Sequence, residues 1–138
     1  MTRAVAALSL LLLTATGAVA QESARNSTAA GVYTAEQATR GADVFAGMCK
    51  SCHTPSVHTG TVFLKTWSDR PLWDLFEFIS TRMPKNDPGA LPAEEYAQVV
   101  AYLLKLNGLP PGPVELPSDS LVLKTIRFEA GEKVRKGQ

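Results

Sequence analysis

Residues 49–53 read Cys49-Lys50-Ser51-Cys52-His53, and the rest of the chain is best understood from what these five can hold. Two thiols three positions apart, followed at once by an imidazole, have the spacing of covalent c-type haem attachment. Each thiol can add across one vinyl group of the porphyrin. The two-residue gap lets the backbone turn so that both sulfurs reach the same porphyrin edge. His53, next in line, then lies under the iron and offers a ring nitrogen as a proximal ligand does.

Other chemistries use similar residues. A redox dithiol of the Cys-x-x-Cys type expects a βαβ setting, and no β-branched runs of strand type flank this one. Zinc asks for about four Cys or His ligands, and beyond these three only His58 remains. A plain disulfide between Cys49 and Cys52 suits an exported chain and stays open as an alternative.

The 138 residues are 45% hydrophobic and 20% charged, which fits one ordinary soluble domain. Residues 1–20 stand apart from it. Arg3 precedes an apolar run from Ala4 to Leu13, and Ala18-Val19-Ala20 supplies small residues for cleavage, the pattern of a secretory signal peptide. The run falls short of the ~20 residues that span a bilayer, so no membrane span is expected after cleavage. No cysteine follows it to carry a lipid. Cleavage after Ala20 removes Arg3 and no acid, leaving 13 basic against 13 acidic residues. That balance argues against nucleic acid and strongly anionic surfaces as partners. Export and a haem motif together place the chain in a bacterial periplasm.

Residues 21–31 read as a flexible leader, 32–128 as the folded domain and 129–138 as a charged, frayed tail. Thr34 with Gln37 is a capping-box signature, predicting a first helix from Ala35 to Met48. Its apolar face is Ala38, Ala42, Phe45 and Ala46, with Gly41 admitting a close neighbour. Pro55, Gly60 and four threonines predict a loop over residues 54–67. That loop is expected to wrap one haem face and give a carbonyl to the free nitrogen of His53, with Pro55 and Thr61 near enough. Trp67 and Trp73 are expected as pocket walls, the Trp67 indole N–H meeting a haem propionate.

A second helix starts near Pro71, with Leu72, Leu75, Phe76, Ile79 and Met83 as its stripe. Met83 should end it, because the residue before a proline is pushed out of the helical region. That makes Met83 the leading candidate for the sixth iron position, ahead of His58 and of an open or water-filled position. Met48 is tied to the attachment side and Met1 is removed. A third helix has Pro92 near its start and Glu94 and Glu95 at its positive end, and Asn107-Gly108 stops it. Tyr96, Val99, Val100, Leu103 and Leu106 form its core face. Residues 112–128, with Val114, Leu116, Leu121, Leu123, Ile126 and Phe128, should lie back on the domain, with a short helix from Ser118.

From Thr34 to Leu109 the chain resembles the class I cytochrome c family. The resemblance rests on Gly41 and Phe45 ahead of the Cys49–His53 motif, on Met83-Pro84, and on Val100-Ala101-Tyr102-Leu103. It implies an all-α class I cytochrome c fold, three main helices plus loops wrapped around one covalently bound haem c. It also implies a crossing of first and last helices at Gly41, Phe45, Val99 and Tyr102, and His53 with Met83 as the axial pair. The run from Trp73 to Leu104 more closely resembles small bacterial cytochromes c that accompany or are fused to periplasmic quinoprotein dehydrogenases. Two departures stand out. Thr61 occupies a place where the family has proline after glycine, and Leu91-Pro92 replaces the usual Ser or Asp cap of the last helix.

The function expected is single-electron transfer in the periplasm by a carrier that is not itself an enzyme. It would pass electrons from a periplasmic dehydrogenase to a downstream oxidase or other cytochrome. Lys50, Lys65, Arg82 and Lys85 are expected to rim the exposed haem edge. A haem protein with an open iron position, in which Met83 merely fills the core, is the main alternative. An exported disulfide domain without haem is the third reading.

Overall fold

A computed structural model describes residues 26–130. The signal-peptide reading of residues 1–20, residues 21–25 of the leader and residues 131–138 of the tail lie outside the described residues. Among the described residues five α-helices follow one another: α1 (Ala35–Met48), α2 (Gly60–Trp67), α3 (Leu72–Arg82), α4 (Ala93–Leu106) and α5 (Ser120–Thr125). Short 3-10 turns stand at Thr28–Ala30 and Pro55–His58. Among the described residues, β pairing is confined to isolated bridges from Arg127 to Ser27 and to Pro71. The described fold is all-α, as the family resemblance implies.

Helix α1 begins where Thr34 Oγ1 accepts the Gln37 amide at 3.1 Å. The Gln37 side chain does not return to complete the capping box. It turns inward, is buried, and grips the far end of the chain: Nε2 donates to the Leu116 carbonyl and Oε1 accepts the Leu116 amide, both at 2.8 Å. The buried face of α1 is therefore Gln37, Ala38, Gly41 and Phe45, and Ala46, expected on that face, is exposed.

The most extensive helix–helix interface joins α1 and α4. Gly41 makes it possible, because a Cβ there would land on the Gln98 carbonyl and press on the Tyr102 side chain. One turn on, Phe45 and Tyr102 meet with ring centroids 5.5 Å apart. Val99, the fourth residue expected at the crossing, is buried.

Residues 60–67 are helical, contrary to the loop expected there. Phe63, Leu64 and Trp67 fall on one buried side of α2, and that burial outweighs the poor helix preference of glycine and threonine. Helix α3 buries Leu72, Leu75 and Phe76 and ends at Met83, extended at φ −129°, ψ 148° ahead of a cis Met83–Pro84 bond. Helix α4 starts after Pro92 with no side-chain cap, as its sequence implies. Gly108 follows its end at φ +72°.

The chain after α4 wraps the bundle. Leu116, Leu123, Ile126 and Phe128 are buried, whereas Val114 and Leu121 point outward. Asp119 accepts the amides of Leu121 and Val122, which sets the start of α5 at Ser120 rather than Ser118. Residues 126–129 then lie between the N-terminal segment and the α2–α3 turn: Thr28 N donates to Arg127 O, Arg127 N to Asn26 O, and Phe128 N to Arg70 O. Thr28 is fully buried and its hydroxyl bonds the Glu129 backbone. Residues 26–31 and 129–130, read as leader and tail, are thus packed against each other. The reason is non-local: each supplies the other's hydrogen bonds.

Candidate functional site

A cavity of about 510 Å³ opens between the helices, within the usual size range of small-molecule sites. Cys49, Cys52 and His53 line it from the turn after α1, and His58, Phe63 and Trp67 from the following turn and α2. Leu75, Phe78, Ile79 and Met83 come from α3, with Val99 and Leu103 from α4. Both thiols, His53, Met83 and the expected wall residue Trp67 therefore all meet around one space.

Local structure explains how the motif is presented. The amides of Cys49 and Lys50 both donate to the Phe45 carbonyl, closing α1, and those of Cys52 and His53 both donate to the Cys49 carbonyl at 3.1 and 2.9 Å. This tight turn points two free thiols and an imidazole into the cavity. Burial pushes the Cys49 thiol above the ordinary cysteine range. Met83 arrives from the end of α3, its carbonyl held by the Tyr96 hydroxyl at 2.7 Å.

His58 stands beside His53, with ring centroids 5.1 Å apart at 61°. Rings so placed pack edge to face and leave no room for a flat macrocycle between them. His58 is therefore excluded as the ligand opposite His53. Burial, and then the neighbouring His53, lower its basicity. Its ring also meets Phe45 at 5.7 Å and Phe63 at 6.4 Å.

Two expected neighbours of the cavity lie elsewhere. Trp73 is turned away, stacked on Phe76 at 5.5 Å with the Lys124 ammonium 5.3 Å over its ring; the two-residue offset from Leu75 puts it on another face of α3. Lys65 lines a separate depression with Asp69 and Glu129. Lys85 does line the cavity, and the Arg82 guanidinium covers the ring of Phe78 at 5.6 Å. Trp67 carries the Arg70 guanidinium 5.1 Å over its ring.

By sequence Asn107 reads as a helix stop only. Its buried side chain reaches across to the His58–Gly60 segment, a contact 47 to 49 residues away that no local pattern signals.

Two thiols, an imidazole and a thioether opening on apolar walls suit a flat, iron-bearing ring tethered along one edge. The family model described as cytochrome c oxidase, cbb3-type, subunit III matches residues 36–103. The match runs from the first turn of α1 into the last turn of α4 and takes in every residue of the cavity. No curated protein and no solved structure gave a match to the chain.

Proposed function

We propose that this member of the class I cytochrome c family transfers electrons through haem rather than catalysing bond changes, carrying them singly in the periplasm with His53 and Met83 as axial ligands. Haem c supplies an iron that alternates between ferric and ferrous states, at a potential raised by thioether ligation. Cys49 and Cys52 would hold it covalently, and His53 and Met83 would occupy its two axial positions. The observation that carries this reading is the convergence of all four groups on one cavity from two separate segments. With both positions taken by the protein, no site is left for a substrate.

The remaining residues exclude water and orient the ring. Phe63, Leu75, Val99 and Leu103 give the cavity apolar walls. The indole N–H of Trp67 is the donor we assign to a propionate, since a buried indole wants an acceptor. Lys85, Arg82 and the exposed Lys50 give the rim a positive side, suited to acidic patches on a donor such as a periplasmic dehydrogenase and on an accepting oxidase or cytochrome. Such encounters bury little surface, often below ~1,200 Å². Export is supported by the pattern of residues 1–20. Among the described residues, no helix is long and apolar enough to cross a membrane.

The test is expression with residues 1–20 intact in a host that matures c-type haem. The expected product is coloured, heavier than its polypeptide by one haem, and shows a weak sulfur-to-ferric-iron band near the red end that Met83→Ala abolishes. Cys52→Ala should lose covalent attachment. A colourless product, or a spectrum unchanged by Met83→Ala, overturns the reading. Rapid carbon monoxide binding by the native ferrous protein would favour the open-position alternative.

A further inference from the structure

The amide of Asn107 does more than end α4. One Nδ2 hydrogen goes to the Leu103 carbonyl at 2.8 Å, the other to the His58 carbonyl at 2.9 Å, and Oδ1 accepts the Gly60 amide at 3.1 Å. The assignment of nitrogen and oxygen is forced, since the two carbonyls can only accept and the amide can only donate. The bond to Leu103, one turn back on the same helix, fixes the plane of the side chain. The other two bonds then fix the peptide groups on either side of Thr59. Stopping the helix needs none of this, because Gly108 already takes the left-handed conformation.

What this clamp holds is the backbone beneath the His58 ring. That ring touches Phe45 and Phe63, both buried, and meets His53 edge to face. Packed against these rings and open only toward the cavity that it lines, it takes its position largely from its backbone. The backbone of His53 is held by the bond of its amide to the Cys49 carbonyl, while its imidazole, following the exposed residues Ser51 and Cys52, packs against the His58 ring.

We infer that Asn107 is a positioning residue for the His53 imidazole, acting through the His58 carbonyl and ring. The inference rests on His53 being an iron ligand. Partners that orient a ligating histidine tune the metal as well as the fold, so the consequence is electronic. A less firmly held imidazole donates less to ferric iron, and the protein becomes easier to reduce.

The experiment uses the haem-loaded protein and the variants Asn107→Ala, Asn107→Asp, His58→Phe and Asn107→Ala with His58→Phe. Aspartate keeps an acceptor for Gly60 while losing the bonds to both His58 and Leu103, so it serves if the alanine variant does not accumulate. Midpoint potential, hyperfine-shifted proton signals of the ligating imidazole and thermal stability are read in each. We expect Asn107→Ala to move the one-electron reduction equilibrium at least about threefold toward the ferrous form, within the range of coupled networks, and both Asn107 variants to displace the imidazole signals, the carboxylate of the aspartate variant opposing the shift in potential by favouring ferric iron. In the His58→Phe background most of that effect should vanish. Lowered stability with potential and imidazole signals unmoved would overturn the inference, leaving Asn107 a purely structural clamp. Shifts that persist undiminished without His58 would overturn the route through its ring. A separate control, His53→Ala, tests the premise: if its spectra match the native protein's, His53 is not a ligand, and the axial assignment fails together with this inference.

Discussion

The Tyr96 hydroxyl donates to the Met83 carbonyl oxygen at 2.7 Å. Tyr96 belongs to the first turn of α4 and is buried, while Met83 closes α3, so one bond fixes the spacing of two helices where the thioether is presented. The same hydroxyl receives the Leu91 amide at 3.4 Å, drawing in the turn between them. Tyr96→Phe keeps the ring and removes both bonds. A loss of about 0.5–1.5 kcal/mol is expected in chemical denaturation. The red-end charge-transfer band should weaken with haem still attached, because Met83 loses its anchor rather than its sulfur.

Two glycines of the same helix should respond in opposite directions to alanine. At Gly41 the new methyl would meet the Gln98 backbone, which cannot rotate away, so α1 and α4 must separate. A destabilisation of about 1–3 kcal/mol, the cost of overpacking, is expected. At Gly47 nothing lies within 4 Å of the added carbon. Gly47→Ala should therefore stabilise the protein by up to about 1 kcal/mol through helix propensity. Paired urea titrations of the two variants check both signs.

Helices α1, α3 and α4 are legible in the sequence because each carries an apolar stripe and a local stop signal. Met83 is the clearest case: the proline after it dictates an extended residue at a helix end, whatever the rest of the chain does. Helix α2 hides because Gly60 and its threonines outvote the spacing of Phe63, Leu64 and Trp67 on any local count. Its first amide is bonded by Asn107, a partner far along the chain. Gln37 is misleading for a related reason. It sits in the capping-box position, yet its side chain answers to Leu116. The residues that bear directly on the proposed haem site obey short-range chemistry, and those that hold them in place obey long-range packing, which spacing alone does not reveal.

The Gln37 clasp supplies both hydrogen bonds of the Leu116 peptide from one buried side chain. Gln37→Leu keeps a similar volume but strands an amide and a carbonyl away from water. Each orphaned group costs about 1–3 kcal/mol, so a loss of about 2–4 kcal/mol is expected. The Leu116 amide should exchange with deuterium far faster than that of Leu104 in the α4 core. Unchanged protection at Leu116 would show that the C-terminal wrap is held by its apolar residues without the clasp.

Tyr33 makes folding sensitive to alkali. Its hydroxyl is buried and donates to the Leu109 carbonyl at 2.6 Å, and burial pushes its pKa from 10.0 up to about 12. In the unfolded chain the phenol ionises near 10, so between pH 10 and 12 the folded state binds more protons and stability falls as pH rises. Below pH 10 the contribution is fully present. Two pH units at 1.36 kcal/mol each make a loss of about 2–3 kcal/mol by pH 12. The measurement compares the native protein with Tyr33→Phe, which isolates the phenol's share. The variant is less stable at neutral pH by the lost hydrogen bond, but its stability should decline less steeply above pH 10. Parallel alkaline curves for the two proteins would mean that the Tyr33 hydroxyl reaches water before the fold gives way.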